Sequence, residues 1–298
     1  MRIGIFSGDA NVATLLETAR QAEADGFDSF WLPHIFGVDA LCAHTLIASQ
    51  VPRIELGTAV VPSYPRHPVA LTQQALTVSA VSGGRLTLGV GLSHQIVIEA
   101  MYGYSFSKPA RHMREYLTAL VPLCQGENVS FAGETLTARA QVVVEGAPPV
   151  PVMVAALGPA MLKIAAELTA GTVTWMTGPR TLGEHIVPTI RSAAAAAGTG
   201  EMRVVGALPV AVTDDLESAR ERAARVFEVY GSLPSYRAML DREGVDGPAD
   251  VALIGTEAEV RAGIERMRSA GVTDFVAVEF LTDEPAATAT REVLKSLL

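Results

Sequence analysis

Strand-like and helix-like segments take turns along this chain from end to end, and no other feature narrows its fold as much. Strand patterns lie at 2–6 (RIGIF), 28–32 (DSFWL), 54–61 (IELGTAVV), 85–90 (RLTLGV), 151–156 (PVMVAA), 171–176 (GTVTWM), 202–212 (MRVVGALPVAV) and 274–280 (DFVAVEF). Between them, apolar residues recur with helical spacing over 12–25, 69–80, 112–123, 159–169, 182–197, 215–230 and 257–270. Most strand runs are almost wholly apolar, as parallel strands covered on both faces by helices should be. One junction repeats: AEADGFDSFWL, AAELTAGTVTWM and RSAGVTDFVAV each close a helix, turn at a glycine and enter a strand. Gly26, Gly171 and Gly271 are therefore expected just past helix ends, where a left-handed φ carries no Cβ penalty.

A βα unit reused in a chain of 298 residues, with no linker rich in Pro, Ser or charge, predicts a (β/α)8 barrel formed as one domain over 1–298. A doubly wound open sheet is the alternative. Segment 124–150 breaks the rhythm with short β-like pieces and a Pro-rich exit, and reads as an insertion between helix four and strand five. SLPSYRAMLDREG, within about 231–250, reads as an extra helix before the last unit.

Composition removes several function classes. The chain is 49% hydrophobic, yet no stretch approaches the ~18 unbroken apolar residues of a membrane span, so these residues belong to a core. The start, MRIGIF, enters a strand at once without the pattern of a secretory leader, which makes the cytoplasm the expected location. A net charge of −9 argues against nucleic acid or an anionic membrane as partner and leaves a small molecule. Cys42 and Cys124 stand alone, with no disulfide framework or thiolate site.

The most suggestive glycines lie in GGRLTLGVGLSH, residues 83–94. A dinucleotide loop needs a third glycine where His94 stands, and no Gly-Lys-Ser/Thr follows for a Walker loop. Gly89 and Gly91 are instead expected to thin the end of a barrel strand so that a flat group can lie against it. Barrel enzymes keep their chemistry at that face. Other strand ends carry His34, the Gly158-Pro159 helix start with its free amides, and the small-residue turn Thr177-Gly178. Each has a plain reading as well: a packed or solvated loop histidine, an ordinary helix start, an ordinary turn. Asp9, Asp39 and Glu279 are dispersed and read as capping or surface groups. The histidines at 34, 44, 67, 94, 112 and 185 have no ligand spacing, HExxH is missing and so is Gly-x-Ser-x-Gly, so neither a metal site nor a nucleophile elbow is indicated. The chemistry is then a cofactor's, with the protein supplying shape and a few polar contacts.

DGFDSFWLPHIF, IELGTAVVPSYPRHPVALTQQALTVSAVSGGRLTLGVGLSH, AALGPAMLKIAAELTAGTVTWM and AGVTDFVAV, in this order, resemble the luciferase-like monooxygenase family. Within it the chain is most similar to the coenzyme F420-dependent oxidoreductases, the branch of methylenetetrahydromethanopterin reductase and F420-dependent glucose-6-phosphate dehydrogenase. The resemblance implies a (β/α)8 barrel of the bacterial luciferase-like type, a homodimer, and a deazaflavin ring at the strand ends. It places a cis peptide bulge at Ala59 and Val60 behind the ring, the turn Gly91, Leu92, Ser93 and His94 beside it, and the phosphate-bearing tail near Ala156, Leu157, Gly158, Thr177 and Gly178. His34 matches an active-site histidine of the sugar-phosphate branch. His94 stands where that branch has a glutamate, which puts glucose 6-phosphate in doubt. The implied reaction is hydride transfer between F420 and a small organic substrate, with His34 or His94 handling the proton. Arg114 and Glu115 match a family helix but read as a surface or structural ion pair. Two alternatives stand: an FMN-dependent monooxygenase on the same barrel, and a flavin- or deazaflavin-binding protein without turnover.

Overall fold

A computed structural model describes residues 1–281 and 283–298. Eight parallel strands form the barrel: β1 (Arg2–Phe6), β2 (Ser29–Leu32), β3 (Glu55–Thr58), β4 (Leu86–Gly91), β5 (Val152–Ala155), β6 (Gly171–Trp175), β7 (Arg203–Val212) and β8 (Asp274–Glu279). Each pairs with the next, and β8 pairs with β1 in the register Arg2 to Asp274 through Phe6 to Val278, which closes the ring and rules out the open sheet. Around it lie α1 (Val12–Asp25), α2 (Ala40–Gln50), α3 (Pro68–Ser82), α4 (Pro109–Cys124), α5 (Pro159–Leu168), α6 (Val187–Ala197), α7 (Leu216–Ser232), α8 (Pro234–Glu243), α9 (Glu257–Ser269) and α10 (Glu284–Lys295). The insertion after α4 is an antiparallel hairpin, Val129–Ala132 with Thr137–Ala140, and α8 is the expected extra helix. Among the described residues no helix is long and apolar enough to cross a membrane.

Four expectations need correction. α2 and α10 were not anticipated: α2 is apolar nearly all round, so its sequence lacks a clear stripe, and it begins inside what reads as a loop. Strand three does not run through 61; it stops at Thr58, the Ala59–Val60 peptide is cis, and a short piece, Val61–Pro62, resumes pairing with β4. Gly26 and Gly271 do turn at φ +93° and +94°, but Gly171 is the first residue of β6, where a Cβ would stand 1.9 Å from the Arg203 carbonyl oxygen. Arg114 is the predicted surface ion pair, 2.6 Å from Glu167, whereas Glu115 pairs with no cation among the described residues and accepts from the Glu134 and Thr135 amides of the hairpin.

Two apolar masses hold the barrel. Outward side chains of the strands pack beneath the helices in one continuous core, while Trp31, Met153, Val173, Val205, Ala207 and Val276 fill the lumen. The N-terminal end of the lumen is ionic. Arg203 donates to both Asp274 oxygens at 2.6 and 3.3 Å, and to Glu55 at 3.0 Å; Arg2 lies 3.3 Å from Asp274. Asp274 is only 2% exposed, so its loss leaves guanidinium charge facing a low-dielectric wall. Asp274→Ala is expected to destabilise the fold by about 3 kcal/mol in denaturant unfolding, the low end for a broken buried pair because Glu55 still serves Arg203.

His44 of α2 is fully buried; its Nε2 donates to the Gly57 carbonyl at 2.9 Å and its Nδ1 has no partner among the described residues. Burial lowers its pKa to about 4. Since the unfolded chain binds that proton near pH 6.5 and the folded one does not, stability falls as pH drops from 6.5 towards 4. This one site contributes about 3 kcal/mol to the fall, and His44→Asn should flatten that part of the stability–pH curve.

Candidate functional site

The C-terminal ends of the strands bring together most of the residues singled out in the sequence. β2 runs into Pro33 and His34. The His34 ring is turned so that Nδ1 accepts from the Ala40 amide at 3.2 Å, which places the proton of the neutral ring on Nε2. Nε2 has no hydrogen-bond partner among the described residues; the nearest carboxylate oxygen, Asp39 Oδ2, is 3.9 Å away. Asp39 is the N-cap of α2, accepting from Leu41 and Cys42 at 3.0 Å each, and its other oxygen is held by Arg66 at 2.6 Å. Partial burial and the Arg66 charge lower the His34 pKa, with Asp39 opposing them, so the ring is neutral near pH 7. The plain reading of Asp39 as a cap holds, and the cap also orders His34.

At the end of β3 the chain turns through the Ala59–Val60 bulge. The adjoining glycines of β4 serve this bulge: a Cβ on Gly89 would stand 2.1 Å from the Thr58 carbonyl oxygen, and one on Gly91 2.6 Å from Val60 Cγ2. Both glycines are required by the neighbouring strand, and its bulge forms the ledge against which a ring is expected. Thr58 clamps the two strands, donating its hydroxyl to the Gly89 carbonyl at 2.8 Å and accepting from the Gly89 amide at 2.9 Å.

β4 then delivers Leu92, Ser93 and His94. Ser93 takes a left-handed φ of +61°, and Met176, after β6, one of +49°; both lie at strand ends, where non-glycine residues in this region commonly mark function. The His94 ring makes no hydrogen bond among the described residues and lies tilted against Tyr236 at 5.9 Å; burial lowers its pKa. His34 and His94 thus differ: one is oriented by a backbone amide, the other only by packing.

An aromatic arc continues from His94 through Tyr236 and Tyr230 (5.1 Å apart) to Trp175, 5.8 Å from Tyr230 and stacked on Phe6 at 6.4 Å. Trp175 Nε1 is buried with no well-aligned partner among the described residues, and the Tyr230 hydroxyl lies close enough to interact with it. Sequence reasoning missed this arc, and it missed Ser63, whose Oγ lies 3.0 Å from His112 Nε2 beneath Tyr64 stacked at 3.9 Å. A lone tyrosine in each of SYPRHP and SLPSYR, next to a strand end and an expected extra helix, was the available signal. Ile35 and Phe36 (both 60% exposed) and Ile96 (69%) line the loops after β2 and β4, so those loops are apolar where they meet solvent.

Two helix starts lie beyond β5 and β6. Gly158 caps α5 with extended backbone and Pro159 at N1, and no side chain caps the free amides. His185 fixes the approach, its Nε2 lying 2.9 Å from the Leu157 carbonyl. Ala156 is tied by its amide to Thr172 Oγ1 at 3.2 Å. At the second start Thr177 is buried, its hydroxyl turned back to the Trp175 carbonyl at 3.1 Å, and the amides after Gly178 are already taken by Glu243. A flat ring with an anionic tail therefore fits the bulge ledge and the open start of α5, but not the amides after Gly178. Among the described residues no group of three or more His, Cys, Asp or Glu side chains could hold a metal ion.

Comparison with known proteins agrees with this fold. The family model described as luciferase-like monooxygenase matches residues 1–274. The chain is 30% identical over 258 residues to the 5,10-methylenetetrahydromethanopterin reductase of Methanolobus tindarius, covering 86% of this chain and 78% of that one. Its fold superimposes on the coenzyme F420-dependent tetrahydromethanopterin reductase of Methanopyrus kandleri with a TM-score of 0.82 and 21% identity, over 99% of this chain and 96% of that one. An F420-dependent secondary alcohol dehydrogenase, solved with an F420-acetone adduct, gives 0.83 at 20% identity, over 100% and 98%. The matched length and the closed barrel with its bulged third strand place the chain in the luciferase-like monooxygenase family of enzymes.

Proposed function

We propose that this protein is a coenzyme F420-dependent oxidoreductase that transfers hydride between the deazaflavin and a small organic substrate. The observation that carries the reading is the likeness, over most of the chain, to methylenetetrahydromethanopterin reductase and to F420-dependent enzymes of the same barrel; the ledge at Ala59–Val60 would back either a deazaflavin or a flavin ring. In this reading Ala59 and Val60 back the ring, Gly91, Leu92 and Ser93 border it, and Ala156, Leu157 and Gly158 lead the tail's phosphate to the uncapped amides at the start of α5. A phosphate there meets unpaired N–H groups and the positive end of the α5 dipole. When bound, the deazaflavin supplies a two-electron hydride centre.

His34 orients and handles the proton. Its neutral ring, fixed by the Ala40 amide, presents Nε2–H as a hydrogen-bond donor to a substrate oxygen, and it hands over a proton only from the imidazolium form, which its lowered pKa makes a minor species at neutral pH. His94 and Tyr236 wall the mouth, and the apolar loops with Ile35, Phe36 and Ile96 shed water from an entering substrate. The reading includes a homodimer in the cytoplasm, which sedimentation of the purified protein would check for the dimer.

The test is a paired assay. Reduced F420 should be oxidised in the presence of a suitable organic acceptor without oxygen uptake. Oxygen uptake supported by reduced FMN, with none of the F420 reaction, would favour a monooxygenase instead; binding without any turnover would favour a carrier.

A further inference from the structure

The turn after β6 carries an anion of its own. Glu243, the last residue of α8, sets its carboxylate on the helical run that starts at Pro179: Oε1 accepts from the Arg180 amide at 3.1 Å and Oε2 from the Thr181 amide at 2.7 Å. The seat is shaped for it. A Cβ on Gly178 would stand 2.3 Å from Glu243 Cδ, and the Thr181 hydroxyl donates to the Met239 carbonyl, one turn earlier in α8, at 3.2 Å. The other helix start at this face, Gly158-Pro159, receives no side chain, and His185 bridges the two by its contact with the Leu157 carbonyl. Of two amide sets that could hold an anion, one is satisfied by an attached carboxylate and one is open.

We propose that Glu243 is a specificity-determining residue for the cofactor's tail, denying the Arg180 and Thr181 amides to the tail's phosphate and confining it to the start of α5. The proposal rests on the F420 reading above. A helix start favours one anion through its free amides and dipole. Once Glu243 fills that place, a second anion nearby meets a like charge that is half-buried and only partly screened by salt. Glu243 thereby limits how much the anionic tail adds to binding, while contributing nothing to recognition of the ring. The same contact holds α8, and with it Tyr236, at the mouth.

The experiment is a fluorescence titration of the full-length apo-protein with F420 and with its phosphate-free deazaflavin riboside, in wild type and Glu243→Gln. The amide keeps the shape and one acceptor while removing the charge. Glu243→Gln is expected to tighten F420 by about threefold or more and to leave the riboside within about twofold of wild type. Equal shifts for both ligands, or no shift for either, overturn the proposal. Hydrogen exchange on the wild-type protein gives a second readout if the variant fails to fold. F420 should protect amides at 158–162 and leave 178–182 and 234–243 unchanged; protection at 178–182 with loss of protection in 234–243 means that the tail displaces Glu243, and overturns it. If the wild type binds neither ligand, the cofactor reading fails and takes this proposal with it; if it binds both with an unaltered ratio in the variant, only the Glu243 proposal fails.

Discussion

His34→Ala should lower turnover by about 10²-fold or more while leaving F420 affinity within about threefold, the signature of a lost proton donor rather than a lost binding contact. The side chain is ordered from one side by the Ala40 amide on Nδ1 and leaves Nε2 without a partner, so truncation removes an oriented N–H and little packing. The start of α2 survives because Asp39 still caps Leu41 and Cys42. His34→Asn restores an acceptor near Ala40 but places no donor where Nε2 stood, and should not rescue turnover. His94→Ala has a smaller expected effect, of about tenfold, on KM more than kcat, because that ring is held only by its contact with Tyr236. If His34→Ala retains full activity with F420 bound, proton handling must be assigned elsewhere; the buried Trp175 Nε1 and the Ser63–His112 pair would be the next groups to test.

Gly89→Ala is expected to be the most damaging single methyl group that can be added at the ledge. Its Cβ would lie 2.1 Å from a backbone oxygen, Thr58 O, which belongs to a strand clamped in place by the Thr58 hydroxyl at both Gly89 backbone groups. A side-chain tip could swing away; this atom can move only with β3. The expected loss is about 4 kcal/mol in urea unfolding, above the range of about 1–3 kcal/mol for most overpacked sites. Gly91→Ala meets Val60 Cγ2 at 2.6 Å, a side-chain methyl that can give way, so its stability loss should be smaller. Its effect should fall on cofactor affinity, since Val60 is pushed towards the ring. Near-wild-type stability for Gly89→Ala would show that the two strands tolerate separation and that the bulge is not held by this close approach.

The barrel was legible because its evidence is local and repeated: apolar runs of strand length, helix-period segments and glycine turns at 26 and 271 each report on a few neighbouring residues. α2 escaped because a helix buried on several sides loses the polar stripe that reveals amphipathic helices. At the site, legibility ended where partners are distant in sequence. GVG suggested space, and the close approach it serves is that of β3, which the sequence could not show because Gly89 and Thr58 are 31 residues apart. Gly178 suggested a tail site for the same reason that it fits Glu243: both need a small residue and free amides, and only the fold reveals that the carboxylate 62 residues beyond Thr181 arrives there. Histidine identity was visible but rank was not; the difference between His34 and His94 lies in a hydrogen bond to one and only packing for the other.

The central claim is that the bulged strand ends and the open start of α5 form a deazaflavin site. Titration of the apo-protein with F420 and, separately, with FMN, followed by fluorescence, tests it most directly. Saturable F420 binding that is at least about tenfold tighter than FMN binding, and weakened by Gly91→Ala, is the predicted result. Tight FMN binding with none for F420, or F420 binding indifferent to Gly91→Ala, would contradict it.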